Sequence, residues 1–163
     1  MDVPDTQQLY WADSRPDYAR SLTPYLRREG LSVFTGRGPN LLGQPLDSVL
    51  EVSSQQQCAG AVESVKVIGS NWARSLRVTG WASTAEGQAP EEIVAATDGI
   101  VSGLGVVGDW RPRQVIAKGV TGNFVGFTAY VRGGPKSARV QLYAVPKRWS
   151  DLACPIADIS PPA

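Results

Sequence analysis

The stretch "SGLGVVGDW" spaces Gly103, Gly105 and Gly108 as G-x-G-x-x-G, the arrangement that lets a backbone approach a dinucleotide's pyrophosphate. That chemistry also requires a long helix opening at the motif and an acidic residue about 20 positions on. Neither is present: Pro112 and Gly119 leave room for only two turns of helix in "RPRQVIAKG", and residues 119 to 136 hold no Asp or Glu. The three glycines are therefore read as strand-end and turn residues. Carboxylate chemistry fares no better. Glu91 and Glu92 are adjacent, so in a strand they face opposite ways and cannot flank one glycosidic bond. Asp98 belongs to a turn, and Asp109 is placed to cap the segment that begins Arg111-Pro112. No run of oxygen ligands has the alternate spacing of a calcium loop, and no Ser and Lys are spaced as a dyad.

Two further absences narrow the chemistry. The chain has 0 His, which removes the commonest general base, the commonest metal ligand and the usual partner of a nucleophilic Ser or Cys. With 2 Cys and no His, a tetrahedral zinc site cannot be completed. No cofactor is implied. What remains is aromatic: 5 Trp in 163 residues. An exposed Trp can stack on a sugar ring, whereas a buried one fills core space and finds a partner for its indole N–H. Trp72 and Trp110 fall in turn-like segments, "IGSNWARS" and "VVGDWRPR", where binding residues concentrate. Trp81 sits inside the strand pattern "SLRVTGWAST". If Leu76, Val78 and Gly80 face the core, strict alternation turns Trp81 away from it, and a bulge at Gly80 would turn it back. Both orientations remain open.

The elements that must carry these residues are mostly strands. The 17 Gly and 12 Pro, set among Val- and Thr-rich segments, favour an all-β chain with many turns. Residues 1–12 read as a linker or tail. Tyr18, Leu22, Tyr25 and Leu26 recur at helical spacing over 14–29, with Thr23-Pro24 as a kink and Gly30 as the stop, and "LSVF" follows as a short strand. Residues 36–48 read as an irregular connector, so 13–57 is helix, short strand and connector. From Cys58 the chain shows apolar pieces of five to nine residues separated by turns, the pattern of a β-sandwich over 58–156, with 157–163 as a disordered tail. Asp98-Gly99 between two apolar runs predicts a hairpin with a type I′ turn.

Cys58 and Cys154 bracket that β region. If its first and last strands are neighbours, a disulfide would close nearly the whole domain and stabilise it by about 4 to 5 kcal/mol in the chain-entropy model. The alternative is a pair of free thiols. A bond would imply an oxidising compartment. With 16 Lys and Arg against 15 Asp and Glu, net charge +1, there is no basic run suited to a phosphate backbone, so nucleic acid is not an expected partner. No stretch approaches 18 consecutive apolar residues, and "MDVPDTQQLYW" lacks the features of a secretory signal, so the chain as given is expected to be soluble.

The order "YLRREGLSVF", "CAGAVESVKVI", "LRVTGWAS", a hairpin, "GVVGDWRPRQV", "GFTAYV", "VQLYAV" and "ACP" resembles the C-terminal extracytoplasmic domain of bacterial polytopic membrane glycosyltransferase-like proteins of the lipid-linked sugar donor type. The resemblance spans roughly residues 18 to 156. It implies a domain on the periplasmic side of the inner membrane, with catalysis in a membrane portion absent from this chain. It implies a mainly β fold: an antiparallel sandwich, jelly-roll or Ig-like and similar to a carbohydrate-binding module, preceded by a short kinked helix. The family's "GWA" strand and "RP" turn match Trp81 and Arg111-Pro112, while Ser83-Thr84 stands where an acidic residue is expected. The candidate ligand-binding residues are thus Trp72, Trp110, Arg111 and Trp81. The expected role is non-catalytic, binding or orienting a glycan or glycoprotein acceptor. The alternative is a structural domain that docks on its own transmembrane region or a partner through the 14–29 stripe. By itself the chain is expected to be monomeric.

Overall fold

The computed structural model describes residues 38–53, 58–68, 75–112, 119–132, 139–147 and 150–160. The helix expected over 14–29, the strand in "LSVF" and Trp72 lie outside these residues. The chain divides into two compact units, Met1–Pro39 and Asn40–Ala163, and every strand described belongs to the second.

The apolar pieces do form strands: β1 (Glu51–Val52), β2 (Ala59–Ile68), β3 (Ser75–Ser83), β4 (Glu92–Thr97), β5 (Ile100–Asp109), β6 (Gly126–Arg132), β7 (Val140–Val145) and β8 (Leu152–Ile159). Among the described residues helix is limited to two single turns, α1 (Gly38–Leu41) and α2 (Leu46–Val49), both in the stretch expected to be irregular. The mainly β class agrees with the sequence, but the layering differs from two stacked sheets. All eight strands follow one hydrogen-bonded order, β1-β8-β7-β4-β5-β6-β3-β2. The reason lies in β5, which pairs antiparallel with β4 along one edge and with β6 along the other, joining halves that a sandwich would leave separate. Register shifts at Val62/Ser64, Ala95/Ala96, Val107/Asp109 and Leu142/Tyr143 add the local twist that lets so wide a sheet curl. The sheet is mixed, because β1 pairs parallel with β8. It also outruns the expected bounds of 58–156: β1 precedes them, and β8 continues to Ile159, which packs in the core.

The β4–β5 connection is the predicted type I′ turn, with φ of 50° at Asp98 and 77° at Gly99. On the concave face Leu76 and Val78 of β3, Phe127 and Val131 of β6, Ile93 of β4 and Leu142 of β7 form one buried cluster. The convex face has separate covers. Leu41, Leu46 and Leu50, from α1, α2 and the residue after it, seal Val94, Val101, Tyr143 and Val145.

The curl brings β2 to β8, where Ile156 rests on Gly60 with no side chain to hold it off. Cys58 and Cys154 are disulfide-bonded at this seam, with Cα atoms 5.8 Å apart and a sequence separation of 96. Replacing both cysteines by serine should therefore lower the unfolding free energy by about 4 to 5 kcal/mol, since the loop closed is nearly the whole domain. Urea unfolding of the variant against the oxidised protein measures this, and equal stabilities would refute the seam's importance.

Tyr143 provides a pH signature of the second cluster. Its hydroxyl donates to Gln141 Oε1 at 3.1 Å, and burial pushes the phenol above its ordinary value of 10.0, with the Asp158 carboxylate adding to the effect. The folded chain thus holds this proton more tightly than the unfolded chain. The corresponding stability is fully present below the unfolded value and is lost as pH rises through the folded one. Between about pH 9 and about pH 11 the unfolding free energy should fall more steeply for the wild type than for Tyr143→Phe. Parallel slopes in denaturant titrations would contradict it.

Candidate functional site

The Gly-Trp pair in β3 shows how the sheet allots its aromatic residues. β3 pairs with β6 in unbroken register from Ser75 to Trp81, so alternation is kept and Trp81 faces away from Leu76 and Val78. The bulge lies instead on the neighbouring strand, at Glu63 of β2. Gly80 has no room for a side chain: a Cβ there would run into the backbone carbonyl oxygen of Ala61 and come within 2.9 Å of the Phe127 ring. Facing outward does not expose Trp81, however. It is 7% accessible, buried against Val120 and Val125 with Ala59 alongside. The segment that covers it is held by Thr121, whose backbone N–H and hydroxyl both donate to Gly87 O, at 2.7 and 3.0 Å. Gly87 belongs to the turn after β3, which Thr84 closes: its N–H donates to Gln88 O, and its O and Oγ1 accept from Gly87 and Gln88. Thr84 also holds the exposed Glu86 carboxyl below its ordinary value. Ser83 and Thr84 are both buried, so the positions where an acidic residue was expected serve the fold.

Trp110 has the opposite fate. It follows the last residue of β5 and is 57% exposed. The next residue, Arg111, donates its backbone N–H to Asn123 O at 2.6 Å, which brings Trp110 and Phe124 onto two paired segments at one end of the sheet. Phe124 is 64% exposed. The aromatic-in-a-turn rule that selects Trp72 and Trp110 also applies to Phe124 in "TGNFVGF", and that signal was in the sequence.

Several side chains beside these segments are hydrogen-bonded in place, whereas the buried Asn123 Oδ1 has no partner among the described residues. Arg111 Nε donates to Glu63 Oε2 at 2.9 Å and its Nη1 to Trp110 O at 2.9 Å. The guanidinium lies over Gly126, where a Cβ would approach Nη1 to 2.6 Å. Asp109 Oδ2 accepts from the Thr128 hydroxyl at 3.1 Å. Arg111, expected as a ligand contact, is only 17% exposed at its side chain and is already engaged by Glu63. It acts as a brace that fixes the backbone of Trp110. Glu63 was not foreseeable, because the bulge that presents it depends on the pairing with β3. Of the four expected site residues, then, Trp110 and Arg111 come together, Trp81 is buried below a separate cover, and Trp72 is outside the described residues.

Elsewhere, a shallow depression of about 550 Å³ lies between α2 and the β4–β5 hairpin, lined by Pro45, Leu46, Asp47, Leu50, Glu51 and Gly99 among others. Its two carboxylates have no Lys, Arg, Ser or Thr beside them in the lining. No protein-family model, curated protein or solved structure matches the chain.

These placements separate the two tryptophans experimentally. Trp81→Ala should destabilise the protein by about 3 to 5 kcal/mol, as for a large aromatic lost from a packed site. Trp110→Ala should change stability by less than about 0.5 kcal/mol. Thermal or urea unfolding of the two variants decides, and comparable losses would mean that Trp110 is also a packing residue.

Proposed function

We propose that this domain is a non-catalytic binding module that holds or orients a glycan acceptor, on the extracytoplasmic side of a bacterial inner membrane, as part of a glycosyltransferase-like membrane protein. The observation that carries this reading is the pair of exposed aromatic residues, Trp110 and Phe124, borne on hydrogen-bonded segments. Stacking on a sugar face uses aromatic area that is already rigid, and here Arg111, Glu63, Asp109 and Thr128 anchor the adjoining backbone before any ligand arrives. The disulfide supports an oxidising location. The finer architectural reading that goes with this function is a carbohydrate-binding-module-like sandwich. In that reading the halves β2-β3-β6-β5 and β4-β7-β8 of the one curled sheet stand in for the two layers, because their concave residues share one core.

Titration with a broad set of cell-surface oligosaccharides, followed by Trp fluorescence, tests the reading. A saturable response is expected, weakened about tenfold or more by Trp110→Ala. No saturable response to any member of the set would overturn the reading, and an affinity unchanged in Trp110→Ala would overturn the role given to Trp110.

A further inference from the structure

The net charge of +1 conceals a local imbalance that only strand pairing reveals. Lys66 of β2 stands directly opposite Arg77 of β3, and Arg77 stands directly opposite Tyr130 of β6. Ser75, two positions before Arg77, is opposite Arg132. Residues directly opposite in an antiparallel pair share a face, so Lys66, Arg77, Tyr130 and Arg132 all lie on the convex side, turned away from Leu76, Val78 and Val131. All four are exposed. Three cations from distant parts of the sequence thereby gather with Cα atoms within about 12 Å of one another.

Nothing in the described chain neutralises them. Residues 64–68, 75–79 and 128–132 include no Asp or Glu. The ion pairs among the described residues, Arg111 with Glu63 and Arg139 with Asp158, involve none of the three. Like charges directly opposite across a ladder are destabilising, so the Lys66–Arg77 pair is a cost to the fold. Edge protection accounts for Lys66, since a lysine on an edge strand deters pairing with another chain. It does not account for Arg77 or Arg132, because β3 and β6 are interior strands with neighbours on both sides.

We infer that this convex face of β2, β3 and β6 binds an anionic glycan, one bearing carboxylate or phosphate groups. The inference rests on the glycan reading above and specifies its ligand class. The position of the patch supports it. The next row along the same face is the pair Thr79–Thr128, and Thr128 in turn donates to Asp109, beside Trp110. Cations and then hydroxyls therefore follow one another along β6 from Arg132 toward Gly126, and past the Asp109 carboxylate that Thr128 holds, the chain reaches the exposed Trp110. A polymer lying along it meets charge at one end and stacking at the other. Opposite-charge contacts on an exposed face also speed encounter and make affinity sensitive to salt.

The test compares an acidic oligosaccharide (alginate oligomers) with a neutral one (maltooligosaccharides) by calorimetric titration at low and high salt. The proteins are wild type, the triple variant Lys66→Gln, Arg77→Gln, Arg132→Gln, and Trp110→Ala. Unfolding curves establish that the triple variant is at least as stable as wild type, as expected when like charges are removed from an exposed face. The expected result is preference for the acidic oligomer, weakening with salt, and a loss of about tenfold or more in the triple variant. Equal affinity of wild type and triple variant for both oligomers would overturn the inference and leave the glycan reading standing. Acidic-oligomer binding that the triple variant loses and Trp110→Ala keeps would support the inference and overturn the role given to Trp110. Binding to phosphatidylglycerol vesicles, lost in the triple variant and without any binding of soluble oligomers, would overturn both in favour of a membrane surface.

Discussion

An open sheet of eight strands has two edges, and in this protein the curl of the sheet carries one toward the other. β2 ends the order on one side; on the other, β8 is followed only by the two residues of β1. The Cys58–Cys154 bond spans that gap, and Ile156 packing on Gly60 fills it. Everything on the concave side depends on this closure, because Val62 and Val65 of β2 reach the common core only if β2 stays folded in toward β8. The convex side is linked to the same strand, because the bulge at Glu63, set by the pairing of β2 with β3, presents the carboxylate that orients Arg111.

Curvature also explains why the convex face is covered in patches. A sheet that bends away from its outer surface cannot be sealed by one flat layer, and two local covers are used instead. The turns α1 and α2 seal the β4-β5-β7 region with Leu41, Leu46 and Leu50. The 119–125 segment seals the β3–β6 end over Trp81. Between them, among the described residues, the face presents exposed Lys66, Arg77, Tyr130, Arg132 and Val106, with Ser64, Thr79 and Thr128 partly exposed. Each cover is tied down by backbone hydrogen bonds: Leu46 N–H to Gly99 O at 2.8 Å for one, and Thr121 N–H to Gly87 O at 2.7 Å for the other.

What could be read in the sequence was whatever depends on near neighbours. The Asp98-Gly99 turn, the strand pieces from Cys58 onward and the bracketing cysteines are local or terminal signals, and they were legible. The single sheet was not, because whether β5 joins two halves or leaves them apart depends on pairings that no local pattern encodes. Trp81 shows the limit most clearly. Sequence leaves its direction open; the unbroken β3–β6 register turns it away from Leu76 and Val78, yet direction does not decide exposure, since a segment some forty residues later lies over it. Arg111 was selected for a ligand and serves its own loop, because its acidic partner comes from a bulge 48 positions earlier. Phe124, exposed and in a turn, carries the same local signal as Trp110.

The cationic face belongs to the same class of long-range result and bears on how the chain balances stability with binding. An isolated Lys or Arg on a strand is ordinary, and three of them scattered over 67 residues of sequence form no run. Antiparallel pairing turns them into neighbours by placing position 66 beside 77 and position 75 beside 132. Farther along the face Thr79 faces Thr128, Glu63 is engaged by Arg111, and the Asp109 carboxylate accepts from the Thr128 hydroxyl. Repulsion across the Lys66–Arg77 rung is tolerable because both side chains are long and solvated, and because the concave core beneath them is well packed. A bound anion would turn that repulsion into shared attraction. Its stabilisation would grow with ligand concentration and be transmitted directly to β2, the strand the disulfide holds at the seam.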